Sequence, residues 1–502
     1  MAALSFITDY YMVKFFSVLS SALLHKIICG LIGVIFVLLS LYIAPYHELW
    51  ADEVQAFLIA RDAPFADIVS IIPHQEGQPA LWHLLLKGLI FLFGENLNIT
   101  YVSITIMALT VSIFLFGYQV PLFYKILIPF GHYFLYQYNI ISRNYCLAYL
   151  ALAILGYLYP LRHKHIWCYA FALLLLAEST SFYAPVAAVL GGLWVYEAFY
   201  TPKVCLKNYY APFLGLCGFG LLFLWQILPI NTAQYNIRID DIKNYPYNVI
   251  AHFPEAFFAG ENIILNLLFL FVFAWLAIKF VAMPDFSEKI KKHKKTIGDI
   301  IFIWTIFIAV YFTVRPMFYH QGLIWGLFLC SVYMFFPNYI GRRCHYLFIA
   351  CLLMQIYWSF VSISFDIKHP YSAQLEVMQI LQKQNLLQRK IQTIGFHTLP
   401  LQTLLSRENL CLSSDTPLYW QWTQDDLKLR YADIQKMVDE HHDILVVDAF
   451  EAPRIDLSYY ENPDVFYIYK IPAAAVYKGY LFYEQGLYLY IKKSLPPLFF
   501  NS

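Results

Sequence analysis

The chain has 502 residues, of which 60% are hydrophobic and only 13% are charged, with a mean hydropathy of +0.55. A water-soluble domain carries about a quarter charged residues, so this composition excludes an ordinary soluble protein and indicates an integral membrane protein. Aromatic residues reach 19%, a content that suits membrane interfaces. The net charge of +1 gives no reason to expect a nucleic-acid partner.

The first two thirds of the chain alternate apolar runs with short polar loops. Residues 1–26 mix apolar side chains with Asp9 and Lys14, which favours an amphipathic surface helix leading into the first span. Residues 118–143 predict two short or broken membrane helices, separated at Pro129. With these two, the sequence predicts about thirteen spans. The other predicted spans cover 26–45, 79–93, 99–117, 144–159, 166–180, 184–199, 209–229, 261–281, 299–314, 319–336 and 345–364.

The lysines and arginines predict how these spans are oriented. Basic loops tend to stay in the cytoplasm, and four loops of this chain are rich in Lys and Arg. This distribution places the N-terminus inside, and it places the loop 46–78 and everything after residue 365 outside. The four basic loops are 160–165, 201–207, 287–295 and 341–345.

The character of the sequence changes after Phe365. An amphipathic helical pattern within 366–390 is followed by four apolar, β-branched and aromatic segments typical of strands. The chain is therefore predicted to have two domains, a transmembrane domain at 1–364 and a small extracytoplasmic α/β domain at 365–502. The predicted strands lie within 390–398, 443–450, 465–471 and 487–493.

Several ionisable residues stand in the first outer loop, in the stretch HELWADEVQAFLIARD (47–62). Helical spacing places Asp52 and Gln55 on one face, which predicts an amphipathic helix lying on the outer membrane surface. The charges could simply form its solvated face, and this explanation suits Arg61 well. Alternatively, Asp52 and Glu53 act as a general base and a metal or substrate ligand, with Arg61 as a further substrate contact.

A second polar cluster, HQEGQP (74–79), precedes the next predicted span. Gly77 permits a tight turn and Pro79 suits the start of a helix. His74 and Glu76 could hold a cation together, and Glu76 could also contact substrate. The alternative is an ordinary capped loop, since two residues make a weak metal motif.

Two arginines, Arg143 in ISRNY and Arg315 in TVRPMFYHQG, fall at the outer ends of predicted spans. Such arginines usually have a partner, because an unpaired charge at membrane depth is costly. They could extend towards lipid phosphates, or they could grip the phosphate of a bound substrate. Tyr145 and His320 accompany them as further candidate substrate contacts.

The motifs LWADEVQAFLIARD, EGQPALW, SRNY, RPMFYHQG and DIKHPYS follow one another across nearly the whole chain. In this order they resemble the C-type membrane glycosyltransferase superfamily, in particular its bacterial protein O-mannosyltransferase-like and aminoarabinose transferase-like members. About thirteen spans and a soluble outer tail are also what the resemblance implies. The sequence departs from the pattern at Gln78, where many relatives have His.

The resemblance implies an enzyme that transfers a hexose or pentose from a polyprenyl-phosphate donor to a glycan, lipid or protein acceptor. It maps the acidic motif of the family onto Asp52 and Glu53, with Asp52 as the base. A divalent ion is required in some branches of the superfamily and not in others, and no other cofactor is implied. The resemblance also implies a bacterial inner-membrane location with the reaction on the extracytoplasmic side. A polytopic transporter or lipid flippase remains the alternative, because it too places polar groups at membrane depth.

Overall fold

The structure is a computed structural model in which most of the chain is described. The described residues are 2–200, 207–228, 249, 253–257, 267, 271, 286–313, 318–335, 342–412, 417–422, 434–478, 480–482 and 486–495. Their fold is mostly helical, with a small mixed sheet near the C-terminus. The predicted span 261–281, except for residues 267 and 271, and the residue Arg315 lie outside them.

The first helix, α1, is continuous from Ala2 to Ile43. The predicted first span, 26–45, lies close to the apolar segment Leu23–Tyr46 of this helix, and the backbone shows no break between that segment and the residues before it. No proline interrupts this stretch before Pro45, which lies in a short 3₁₀ turn directly after the helix. Proline removes a backbone donor and ends a helix at such a position.

Most of the apolar runs form helices whose ends lie within a few residues of the predicted ones. The first set is α2 (Ala51–Asp62), α3 (Phe65–Ser70), α4 (Ile72–Glu76), α5 (Leu81–Phe93), α6 (Ile99–Gly117) and α7 (Leu122–Leu127). The second set is α8 (Tyr145–Leu158), α9 (Ile166–Ser179), α10 (Ala184–Tyr200), α11 (Lys207–Ile227), α12 (Phe286–Thr313), α13 (Gln321–Phe335) and α14 (Arg342–Asp366).

Four helical segments of the described chain are long and apolar enough to cross a membrane, namely Leu23–Tyr46, Ile99–Gly117, Lys207–Ile227 and Tyr346–Asp366. Six further apolar helices have 10–17 residues. At a rise of 1.5 Å per residue these reach at most about 25 Å, less than the ~30 Å of a hydrocarbon core. The predicted count of about thirteen spans is therefore not supported. Large exposed side chains such as Phe91 and Leu221, which are 88% and 70% exposed, are consistent with membrane association.

The stretch between α6 and α8 is broken, as the sequence predicted. Helix α7 ends at Leu127, a 3₁₀ turn contains Pro129, and a π-helical turn spans Tyr133–Gln137. The turn and the loop after it are buried among the other helices. Irregular backbone at this depth is tolerable where protein covers it. This loop delivers residues 142–144 to the site described below.

Helix α2 does not lie exposed on a surface, contrary to the prediction. Its residues from Glu53 to Ala60 are all buried. One side packs against α5, and the other packs against the C-terminal domain, through α16 (Leu399–Leu404) and the 3₁₀ turn Phe396–Thr398. Glu53 in its first turn therefore lies inside the protein, whereas Arg61 and Asp62 at its end are partly exposed.

The C-terminal domain contains the helix α15 (Gln374–Lys383) and all four predicted strands. These are β1 (Gln392–Ile394), β2 (Ile444–Asp448), β3 (Phe466–Ile471) and β6 (Leu487–Lys492). Their order in the sheet is β1-β2-β6-β3, with β1 and β2 parallel and the other pairs antiparallel. Strand β2 is completely buried, as suits a central strand of apolar residues.

A hairpin that the sequence did not predict connects this domain to the helices. Strands β4 (Ala475–Tyr477) and β5 (Tyr480–Phe482) pair with each other, and β4 packs against α14. The ammonium of Lys478, at the end of the hairpin, is buried between the backbone oxygen of Glu255 and Oε1 of Gln321, the latter at 3.2 Å. The buried side chain of Lys478 thus anchors the C-terminal domain among the helices.

Candidate active site

The site is organised by the first turn of α2. Trp50 is the N-cap residue with an extended backbone, and its amide donates to Oε2 of Glu53 at 2.8 Å. A carboxylate at this third helical position satisfies one of the amides that a helix start leaves without a partner. Asp52 and Glu53 in the first turn also interact favourably with the helix dipole. Capping of the helix start therefore explains in part why acidic residues stand at positions 52 and 53.

Glu53 is held in a buried network that reaches the end of α14. Nε2 of His47 lies 3.0 Å from Oε2 of Glu53, and Nδ1 of His47 lies 3.0 Å from Oδ2 of Asp366. The hydroxyl of Tyr136 donates to the same oxygen of Asp366 at 3.1 Å. The backbone amide of Ser142 donates to Oε1 of Glu53. Both oxygens of Glu53 are therefore occupied by protein donors.

The histidine of this network is positively charged at neutral pH. Burial alone would lower the pKa of His47, but the two carboxylates outweigh this effect and raise the pKa to about 10. Each ring nitrogen faces a carboxylate oxygen, so the imidazolium can donate to both. The network thus links α1, α2 and α14 through a buried cation between two anions.

Asp52, the neighbour of Glu53, faces a different partner. Its Oδ2 lies 2.7 Å from an Nη1 nitrogen of Arg143. Three aromatic rings surround the guanidinium, with centroids at 5.3 Å for Trp50, 5.3 Å for Tyr145 and 4.6 Å for Tyr319. Such rings attract a cation through their electron-rich faces. Arg143 is thus fixed in one orientation by a carboxylate and an aromatic cage.

Three consecutive residues of the loop before α8 contact both acidic segments. Ser142 donates to Glu53, Arg143 pairs with Asp52, and Nδ2 of Asn144 donates to Oε1 of Gln78 at 3.2 Å. These three residues therefore hold α2 and the turn before α5 next to each other.

Glu76 completes the polar group. Its Oε1 accepts from Nε2 of Gln55 at 3.0 Å, and Nε2 of His83 lies 3.6 Å from its Oε2. Burial raises the pKa of Glu76 to about 7, and the charge of Asp52 adds to this effect, while Gln55 and Arg143 oppose it. Glu76 can therefore exchange a proton near neutral pH, as a catalytic acid or base requires.

The turn after Glu76 has a structural explanation. Gly77 ends α4 in the left-handed conformation, with φ of 61°, and its amide donates to the oxygen of Pro73 at 2.8 Å. Besides the amide of Asn144, Oε1 of Gln78 accepts the hydroxyl of Thr180 at 3.1 Å. Gln78 thus connects this turn to the start of α8 and the end of α9.

Exposure separates the residues that a ligand could reach from those that it could not. The side chains of Asp52, Arg143 and Glu76 are 21%, 20% and 17% exposed, whereas those of His47 and Glu53 are 0% exposed. A group must be within hydrogen-bond reach of its substrate to act on it. Asp52, Arg143 and Glu76 are therefore the candidates for contact with a ligand, whereas His47 and Glu53 are not accessible to one.

The other predicted contact residues, Tyr145, His320 and Arg61, differ in how close they lie to Arg143. The ring of Tyr145 lies 5.5 Å from that of His320, so both border the cage around Arg143. Arg61 pairs with Asp62 at 2.6 Å, about 13 Å along α2 from Asp52 by the helical rise. This places Arg61 away from Arg143, and its role as a substrate contact stays a prediction.

The predicted metal pair is divided between two partners. Nδ1 of His74 lies 2.7 Å from the oxygen of Leu228, whereas Glu76 faces Gln55. Within the described residues, no group of three or more His, Cys, Asp or Glu side chains could hold a metal ion. A role of His74 and Glu76 in metal binding stays a prediction.

Sequence reasoning missed His47, Asp366, Trp50 and Tyr319. His47 and Trp50 stand in the same motif as the acidic pair, and Asp366 begins the motif DIKHPYS, so their positions were visible. Their roles were not visible in the sequence, because the pairing of His47 with Asp366 joins positions 319 residues apart.

The chain was compared with family models, curated proteins and solved structures. No family model matches the chain, and no similar protein was found among curated proteins or solved structures.

Proposed function

We propose that this chain is a membrane glycosyltransferase that moves a sugar from a polyprenyl-phosphate donor to an acceptor on the extracytoplasmic side. The observation that carries the proposal is the accessible Asp52–Arg143 pair, which joins a candidate base to a fixed cation beside apolar helices. This pair supplies the two charges that displacement of a sugar phosphate needs.

The reaction assigns a role to each of these groups. Asp52 takes the proton of the acceptor hydroxyl as its oxygen attacks the anomeric carbon of the sugar. The bond from that carbon to the phosphate oxygen breaks, and polyprenyl phosphate leaves with the electron pair. Arg143 stabilises the charge on the leaving phosphate. A single displacement inverts the configuration of the sugar.

The pairing of Asp52 with Arg143 fits this sequence of events. A donor phosphate would compete with Asp52 for the guanidinium, because both are anions with oxygen acceptors. Asp52 would then be released towards the acceptor hydroxyl while the aromatic cage still holds Arg143 in place. Glu53 has both oxygens occupied and positions the first turn of α2.

The sidedness of the reaction also belongs to the proposal. We expect a bacterial inner-membrane protein with a cytoplasmic N-terminus and an extracytoplasmic C-terminal domain, as the basic loops predict. A further part of the proposal is that short apolar helices, beyond the four long ones, cross the membrane as members of a bundle. Cysteine labelling of Lys291→Cys from the outer face, in a cysteine-free background, would contradict this orientation.

Purified protein in liposomes tests the activity directly. A panel of short-chain polyprenyl-phosphate hexoses and pentoses is added with envelope extract from a deletion strain, and released polyprenyl phosphate is measured. We expect release from at least one donor and its loss in Asp52→Asn. Transbilayer movement of intact donors without cleavage, unaffected by Asp52→Asn, would instead support the flippase alternative.

A further inference from the structure

A segment of the C-terminal domain, residues 417–422, contacts α2 directly and is here called the strap. The amide of Trp420 donates to Oε1 of Gln55 at 2.7 Å, and Nε2 of Gln55 donates to the oxygen of Trp420 at 2.7 Å. The side-chain amide of Gln55 thus pairs with both the backbone N–H and the backbone C=O of Trp420. Because one bond uses the amide oxygen and the other uses the amide nitrogen, the two bonds fix the orientation of the Gln55 side-chain amide.

The same nitrogen of Gln55 also reaches the candidate active site. Its second proton is donated to Oε1 of Glu76 at 3.0 Å. Gln55 is only 4% exposed, so water does not compete for these bonds. A chain of hydrogen bonds therefore runs from the backbone of Trp420 through Gln55 to Glu76.

Aromatic packing holds the strap in this position. The ring of Trp420 lies 5.7 Å from Phe396 and 6.1 Å from Trp422, and Phe396 lies 5.3 Å from Trp422. Phe396 begins the 3₁₀ turn that packs on α2. The strap is thus attached both to its own domain and to the helix that carries Asp52.

We propose that the strap is part of the active site, and that Gln55 is a positioning residue that orients Glu76 when the strap is docked. The role in sugar transfer rests on the proposed function, whereas the coupling between the strap and Glu76 does not. With the strap docked, Gln55 donates to Glu76 and favours its ionised form. With the strap displaced, the amide is free to rotate and this donor is lost.

The groups that face Glu76 determine its pKa. Asp52 and Gln55 contribute from α2, Arg143 from the loop before α8, and His83 from α5 at 3.6 Å. The charge of Asp52 opposes ionisation of Glu76, and Arg143 and Gln55 favour it. Because Gln55 is the group of this set that the strap holds, displacing the strap raises the pKa of Glu76.

Infrared difference spectroscopy of the full-length protein measures this effect without any substrate. The carbonyl band of protonated Glu76 is identified by its loss in Glu76→Gln and followed as a function of pH. In Gln55→Leu the midpoint should move to higher pH by about one pH unit, as expected for one lost hydrogen bond to a charged group. An unchanged midpoint in this variant would overturn the inference.

Two substitutions of Trp420 separate the backbone from the side chain. Trp420→Pro removes the amide that donates to Gln55, whereas Trp420→Ala keeps it. Both variants lose the ring of Trp420, so the midpoint should rise further in the proline variant, which also loses the amide, than in the alanine variant. Equal midpoints in the two variants would contradict the role of the strap backbone. If no donor is cleaved at all, the proposed transferase activity fails while this titration still tests the coupling.

Discussion

The carboxylate of Asp52 lies 2.7 Å from the guanidinium of Arg143, although α2 and the loop before α8 are distant in the sequence. The two charges neutralise each other, which removes the cost of leaving either one unpaired. Under the proposed function, a donor phosphate would compete with Asp52 for the guanidinium of Arg143.

Asp52→Asn should abolish most of the transfer. The substitution keeps the shape and a hydrogen-bond acceptor for Arg143 but removes the proposed base, so we expect at least about a hundredfold lower turnover. The rate of polyprenyl phosphate release measures it. Asp62→Asn is the matched control, because Asp62 lies on the same helix and is likewise paired with an arginine, Arg61, at 2.6 Å. Near-normal turnover in a folded Asp52→Asn variant would exclude Asp52 as the base.

Arg143→Lys should fold but transfer poorly. Lysine keeps the charge but loses the planar donors that hold an anion in two places and stack on aromatic rings. We expect a loss of roughly 2–4 kcal/mol of transition-state stabilisation, judged by other fixed donors. If Arg143 merely reached for lipid phosphate, lysine would serve equally and turnover would be unchanged.

The control for this variant is Arg162→Lys. Arg162 pairs with Glu197 at 2.8 Å and stacks over Tyr159 at 4.1 Å, so the substitution removes similar contacts outside the candidate site. It should leave turnover near the wild-type value. Equal losses in both lysine variants would point to a general loss of stability rather than to a role in the reaction.

The helices and strands of this chain follow from local patterns, and most of them could be predicted. The span 99–117 coincides with α6, and the four predicted strands all formed, because apolar runs and alternation depend on neighbouring residues. The hairpin β4–β5 was missed even though Lys478-Gly479 separates two apolar runs, which is a turn signal.

The candidate site could be predicted only in part. Asp52, Arg143 and Glu76 carry charges in an apolar sequence, so they were visible as candidates, and the structure brings them together. The contact of Gln55 with Trp420 joins positions 365 residues apart, and no local pattern reports such a pairing. The burial of α2 was missed for the same reason, since the domain that covers it lies at the other end of the chain.

Lys478→Glu should detach the hairpin from the membrane helices. Burial lowers the pKa of Lys478 to about 7, and its ammonium faces Gln321 at 3.2 Å and the backbone of Glu255. A carboxylate there would meet oxygen acceptors without any donor, which is costly in a buried site. Limited proteolysis should then cut between the two domains faster than in the wild-type protein.

Lys493→Glu provides the control for the hairpin. Lys493 is an exposed lysine of the same domain that lies 5.3 Å from the ring of Tyr467. Its substitution should not change the rate of cleavage between the domains. The anchoring role of Lys478 is wrong if both glutamate variants are cut at the wild-type rate.

The last prediction concerns His47 and the dependence of stability on pH. Burial opposes its charge, but Glu53 and Asp366 raise the pKa of His47 to about 10, above the ~6.5 of an unfolded chain. This contribution to stability is therefore fully present below about pH 6.5 and is lost as the pH rises through about 10.

His47→Gln leaves two buried carboxylates without their cation, which should cost roughly 3–5 kcal/mol at pH 6.5. Thermal unfolding in detergent between pH 6 and 10.5 should show a steeper loss of stability in the wild-type protein than in the variant. His163→Gln is the control, because His163 faces Glu197 at 3.4 Å with a side chain that is 27% exposed. Equal slopes for the wild-type protein and His47→Gln would mean that the imidazolium does not hold α1, α2 and α14 together.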